Sequence, residues 1–153
     1  MEKDREFSVA GRRVVVMGAA RSGIAAAELL ARRGAAVVLS ETRESFEGAD
    51  RLRAAGVTLE LGGHTADTLA AADLIVTSPG VPPDQPVFAA ARARGIESIG
   101  ELELAWRWTK GRVIAITGTK GKSTTTTLIG RMLSAAGRTA LVGGNIGVPL
   151  SAQ

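Results

Sequence analysis

The stretch Thr117-Gly118-Thr119-Lys120-Gly121-Lys122-Ser123-Thr124 carries residue types at a spacing suited to holding phosphate. Glycines let the backbone curl until successive N–H groups face an anion, and a helix starting there adds the positive end of its dipole. A Lys followed by Ser suits a nucleotide. Lys122 is placed to reach the β- and γ-phosphates, and the Ser123 hydroxyl to ligate Mg²⁺. The strict P-loop pattern asks for glycine at position 116, which is Ile, so this is the shorter Gly-x-x-Gly-Lys-Ser form. The expected ATP-binding set is therefore Gly118, Thr119, Lys120, Gly121, Lys122, Ser123 and Thr124. Lys122 is the candidate catalytic residue and Ser123 the candidate metal ligand. Magnesium also wants carboxylates, and none follows Glu103.

A second set lies near the start of the chain. Gly18-Ala19-Ala20-Arg21-Ser22-Gly23 resembles a dinucleotide fingerprint, but the middle glycine position, 20, is Ala. Simple strand-to-helix packing accounts for such a turn as well as a nucleotide does. Glu41 stands 18 residues beyond Gly23, where an acid meets a ribose hydroxyl in such folds. Thr42 and Arg43 add a hydroxyl and a cation beside it. Ser78-Pro79-Gly80-Val81-Pro82 ends another apolar run, with Gly80 either admitting close backbone approach or making a rigid turn. His64, after Gly62-Gly63, is most simply an exposed turn residue.

These motifs need positioning elements, and the pattern supplies them. Short β-branched runs at 13–17, 36–40, 57–61, 74–77 and 97–99 alternate with Ala/Leu-rich segments at 22–33, 45–55 and 85–94. Each of those segments ends in a glycine fit for a left-handed helix cap. The expected fold class is α/β: a Rossmann-like parallel-sheet domain over residues 1–109, with a short helix at 102–108. The pattern then restarts as strand 113–117, helix 122–136 and strand 139–142, the opening β-α-β unit of a P-loop ATPase domain over residues 110–153. Trp106 and Trp108, two residues apart, are both expected in the core.

Length and composition bound the function. One hundred and fifty-three residues, 45% of them apolar, is about one domain with enough material for a core. The apolar run 14–20 is far short of the ~20 residues of a membrane helix, and the charged start is not a signal peptide. With no Cys and one His, disulfides, zinc knuckles and Cys nucleophiles are excluded. A chain in the cytoplasm, without membrane insertion, is expected. Residues 1–103 hold 12 Lys and Arg against 15 acids, whereas the last fifty hold seven basic residues and no acid. Nucleic acid would call for aromatic residues among those cations. Only the two Trp qualify, so phosphate is the better reading.

Taken together the motifs resemble those of the Mur ligases of peptidoglycan synthesis, specifically the branch that adds D-glutamate. The family's ATP loop reads Gly-Thr-Asn-Gly-Lys-Ser/Thr-Thr, and Gly118 to Thr124 reproduce it with Lys120 in place of Asn. Its Gly-Gly-Asn-Ile-Gly loop stands at 143–147, its Ser-Pro-Gly-Val-Pro run at 78–82, and its Gly-Glu-Leu-Glu-Leu stretch at 100–104. The resemblance spans essentially the whole chain. The ATP loop alone marks a wider superfamily that includes folylpolyglutamate synthase.

The resemblance implies an ATP- and Mg²⁺-dependent ligase of cell wall biogenesis, acting in cell division and cell shape, with UDP-N-acetylmuramoyl-L-alanine and D-glutamate as substrates. It further implies that Arg21, Ser22, Glu41, Thr42, Arg43, Ser78 and Gly80 hold the UDP moiety, and that Asn145 holds the sugar near the reacting end. A monomer with no nucleic-acid partner is expected. The family's remaining magnesium ligands, modified lysine and D-glutamate domain have no counterpart up to Gln153, so binding without turnover is expected of these residues. The competing readings are an NAD-type Rossmann module or oxidoreductase, a UDP-sugar-binding fragment, and another Mur ligase.

Overall fold

In the computed structural model, residues 7–82, 85–144 and 146–153 are described. Strands β1 (Arg13–Met17), β2 (Ala36–Glu41), β3 (Thr58–Leu61), β4 (Leu74–Thr77) and β5 (Ser98–Gly100) form a parallel sheet in the order β3-β2-β1-β4-β5. The central strand is a continuous apolar run because both its faces are covered. Val14 and Val16 pack on one side with Leu30, Leu52 and Leu104. Val15 and Met17 pack on the other with Leu69, Phe88 and Ala91. Helices α1 (Arg21–Arg32), α2 (Ala49–Ala54) and α5 (Glu101–Trp108) supply the first layer, and α3 (Ala66–Ala70) and α4 (Ala89–Ala93) the second. Among the described residues no helix is long and apolar enough to cross a membrane.

The register brings the carboxyl ends of the strands level. Met17 pairs with Ser40 and with Thr77, Ser40 with Glu60, and Thr77 with Gly100. One step further along each strand, Leu61, Glu41, Gly18, Ser78 and Glu101 therefore stand in a row along one edge. The chain leaves β1 into α1 on one face and leaves β4 toward α4 on the other. This divergence opens a crevice between β1 and β4, where ligands of open α/β sheets bind.

Several elements depart from the expected bounds. The second helix starts at Ala49 rather than 45, because Gly48 with φ +95° breaks the helical path before it. The 85–94 segment opens as a 3-10 turn, Pro86–Phe88, before α4. Helix α3 is not anticipated by the sequence reading; the Thr65 side chain caps it by accepting the Thr68 N–H. Trp106 is not core. It is 51% exposed, whereas Trp108 packs against Phe7 in a tilted pair with ring centroids 5.0 Å apart and donates its indole N–H to the Phe7 carbonyl. Residues two apart on a helix point in different directions, so they cannot share one buried face.

The expected β-α-β restart is met only by its helix, α6 (Lys122–Ala135). Residues 113–117 and 139–142 are not strands, and the local pairing is an isolated parallel bridge between Gly143 and Val148. β-branched runs become strands only when a neighbour takes up their N–H and C=O groups. Val113 and Ile114 remain exposed here.

Candidate functional site

Gly18, with φ +90°, lets the chain turn sharply out of β1. Gly23 then brings α1 against that turn: a Cβ on Gly23 would lie 1.9 Å from the Gly18 carbonyl oxygen and 2.6 Å from Ser78 Oγ. The Ser78 hydroxyl donates to the Gly18 carbonyl at 3.2 Å, joining the ends of β1 and β4 across the crevice. The first and third glycines of the fingerprint thus have structural work. Ala20 at the middle position is exposed and is the N-cap of α1. Arg21 and Ser22 open the helix, Arg21 exposed and Ser22 half-buried.

Glu41 is buried and its carboxylate is fully engaged. Oε2 accepts the Ala19 N–H at 2.6 Å and the Arg43 guanidinium at 3.0 Å; Oε1 accepts the Thr42 hydroxyl at 3.0 Å and the Arg43 N–H at 3.1 Å. The Arg43 guanidinium also donates to the Ala19 carbonyl at 3.1 Å. The Arg43 contact is the main cause that holds the Glu41 carboxyl down at about 2, against the opposing push of burial and with help from the backbone donors and Thr42. Glu41 therefore fastens the β1–α1 turn to the end of β2, and leaves the Arg43 side chain 55% exposed at the edge. Thr42 is exposed beside it. Gly80 is exposed with open space where a Cβ would point, and its φ is not positive. Nothing in the fold requires glycine there.

His64 is not a free turn residue. Its Nδ1 lies 2.8 Å from Ser40 Oγ, and the Ser40 hydroxyl also meets Glu60. The Ser40 hydroxyl thus lies between the Glu60 carboxylate and the His64 ring. Burial pushes the Glu60 carboxyl up, but hydrogen bonds from Ser40, Thr65 and Thr68 outweigh it and leave the group below its ordinary value. This is not a nucleophile triad: Ser40 is fully buried and the carboxylate holds the serine rather than the histidine. The cluster instead anchors the 62–64 loop, which is stitched to the 41–43 segment by Gly62 N–H to Arg43 O and Gly63 N–H to Glu41 O, both at 3.2 Å. A polar Ser40 closing an apolar strand was the available sequence signal.

The glycine turn at 118–121 is a separate feature. Gly118 (φ +146°) and Gly121 (φ +77°) curl the chain into the N-terminus of α6, a 14-residue helix with no side-chain cap. Thr119, Lys120, Lys122, Ser123 and Thr124 are exposed. Lys122 Nζ folds back to the Gly118 carbonyl at 2.5 Å, across the mouth of the loop. The donor set fits a phosphate: glycine amides, a helix N-terminus and an ammonium. For a divalent cation it supplies the Ser123 hydroxyl alone, and among the described residues no three His, Cys, Asp or Glu cluster to hold a metal. Asn145 lies outside the described residues.

Residues 12–100 match the family model described as the Mur ligase MurD-like N-terminal domain. The chain belongs to the MurD-like Mur ligases. It is 48% identical over 146 residues to the UDP-N-acetylmuramoylalanine--D-glutamate ligase of Koribacter versatilis, covering 94% of this chain and 32% of that protein. It is 51% identical over 144 residues to the enzyme of the same name from Anaeromyxobacter dehalogenans, covering 92% and 31%. It thus spans about a third of the length of the curated relatives it matches. Among solved Mur ligases, the murein peptide ligase Mpl of Psychrobacter arcticus aligns with TM-score 0.60 and 27% identity over 83% of this chain and 27% of that one. UDP-N-acetylmuramate-alanine ligase MurC of Thermotoga maritima aligns with TM-score 0.56 and 26% identity over 82% and 30%. The Mur-ligase family and its Rossmann-like fold are thereby those expected from the motifs.

Proposed function

We propose that this chain is the uridine-nucleotide-holding part of an ATP-dependent ligase, acting in the cytoplasm, that joins D-glutamate to UDP-N-acetylmuramoyl-L-alanine. The observation that carries the reading is the Glu41–Arg43–Ala19 network at the carboxyl edge of a MurD-like domain. It presents an exposed guanidinium at the sheet edge, beside the start of α1 and the crevice between β1 and β4. Residues 1–109 form the substrate unit and residues 110–153 the opening of the ATP unit.

The chemistry follows from the two sets of groups. In the proposed reaction the γ-phosphoryl group of ATP passes to the alanyl carboxylate, giving ADP and an acyl phosphate; the D-glutamate amine then attacks the carbonyl carbon, forming the amide and expelling phosphate. Positioning and charge neutralisation dominate such transfers. Arg43 and Thr42, with Arg21 and Ser22 at the start of α1, hold the uridine nucleotide, while Ser78 and Gly80 border it across the crevice. Lys122 leaves the Gly118 carbonyl to meet the β- and γ-phosphates, and amides from Gly118 to Thr124 cradle them. Lys120, in place of the family's Asn, adds a further cation. Mg²⁺, held in part by Ser123, supplies neutralisation of phosphate charge. Asn145 is assigned to the sugar end of the substrate.

Calorimetric titration of the 153-residue chain tests this reading. Saturable heat is expected with UDP-N-acetylmuramoyl-L-alanine and none with NAD. Arg43→Ala is expected to weaken the uridine ligand roughly tenfold through loss of a charge-assisted contact. Heat with NAD alone would return the chain to the dehydrogenase-like class.

A further inference from the structure

Glu101 begins α5 directly after β5, in the same edge row as Glu41, Gly18 and Ser78. It is only 4% exposed. Its Oε1 accepts the backbone N–H of Ser151 at 2.8 Å, fifty residues along the chain. Ser151 lies in the 3-10 turn Leu150–Ala152, which packs against both α1 and α5.

The segment that ends in this turn is closed on itself. Gly143 and Val148 form a parallel bridge, and the Gln153 side-chain amide donates to the Val142 carbonyl at 3.2 Å and the Val148 carbonyl at 3.1 Å. A Cβ on Gly143 would meet the Gln153 amide at 2.1 Å, and one on Gly144 would touch Leu102 of α5. The Glu101–Ser151 bond fastens the turn at the end of this segment to the edge of the sheet. Glu101 and Glu41 are separated along the edge by three strand spacings, roughly 14 Å. The Glu41 network and the Glu101 contact thus stand on opposite sides of the β1–β4 crevice.

We propose that Glu101 is a positioning residue that latches the Leu150–Ala152 turn to the sheet edge and so holds it beside the sugar end of a uridine-diphosphate ligand lying along that edge. This rests on the functional reading above. The uridine and diphosphate ends bind at the β1–β2 side, so loss of the latch weakens only what the sugar arm adds.

The test is calorimetry of the 153-residue chain with UDP and with UDP-N-acetylmuramoyl-L-alanine, together with amide hydrogen exchange at Ser151. In the wild type the substrate binds more tightly than UDP and the Ser151 amide is protected. Glu101→Ala lowers substrate affinity about tenfold toward that of UDP, leaves UDP unchanged and exposes the Ser151 amide. Glu101→Gln, which keeps an acceptor oxygen, restores both readouts. Ser151→Ala, which leaves the backbone donor in place, behaves as wild type. The proposal is overturned if Glu101→Ala keeps the affinity gap, if it weakens UDP and substrate equally, or if the wild-type Ser151 amide exchanges freely. A wild-type chain that binds neither ligand defeats the functional reading and, with it, the role beside the sugar; the exchange pattern then still decides whether the latch exists.

Discussion

Glu41 gathers four donors on two oxygens, and that saturation sets both its charge and its task. A carboxylate so engaged acts on a ligand chiefly through what it holds, the Arg43 guanidinium. Its folded pKa lies near 2, below the ordinary 4.5. The linkage sign follows: the stabilisation is complete above about pH 4.5 and is lost as the pH falls toward 2. Thermal unfolding measured from pH 6 to pH 2 is expected to show a smaller decline in Glu41→Gln than in the wild type, with the variant less stable at pH 6. Equal slopes would refute the linkage. Lys122 contributes at a distance from this network. Lys122→Ala is expected to remove heat with ATP-Mg²⁺ and leave the uridine ligand unaffected, since well-separated sites act independently.

At the scale of elements, two glycines on the crevice make opposite demands. Gly23 is locked by the approach of α1 to the end of β1, where an added methyl would collide with the Gly18 carbonyl. Gly23→Ala is expected to cost about 1–3 kcal/mol, read as a lower denaturant midpoint at unchanged m-value. Gly80 faces open space. Gly80→Ala is expected to leave stability within about 0.5 kcal/mol of wild type. If a ligand approaches the Gly80 backbone closely, the same change weakens uridine binding. A variant altered in stability but not in binding would place Gly80 in the fold and out of the site.

For the whole molecule, the two sets of functional groups sit in unlike surroundings. The Glu41 network rests on a sheet buried on both faces, whereas the Gly118–Thr124 turn leads into α6, whose Leu128 and Met132 are exposed. The acids are all within residues 1–103, and that turn lies beyond them. Phosphoryl transfer needs carboxylates around its magnesium. The 153-residue chain given the two proposed substrates, ATP and Mg²⁺ is accordingly expected to release no phosphate above background in a phosphate assay. Sustained release at a rate abolished by Lys122→Ala would contradict this.

The amino-acid sequence by itself determined the features that depend on near neighbours. Periodicity marked all five sheet strands to within a residue or so, since each is a short apolar run between turn residues, and the glycines at 118 and 121 marked the turn into α6. Tertiary structure decided what depends on distant partners. Residues 113–117 read as a strand but have no ladder, because a strand exists only through its neighbour. His64 read as a turn residue until β2 and β3 brought Ser40 and Glu60 beside it. Glu41 read as an acid for a ribose hydroxyl, but Ala19 and Arg43 close on its carboxylate, and nothing local to Glu101 announces the backbone of Ser151. Local conformation is encoded over a few residues, but a hydrogen-bond partner fifty residues away is chosen by packing.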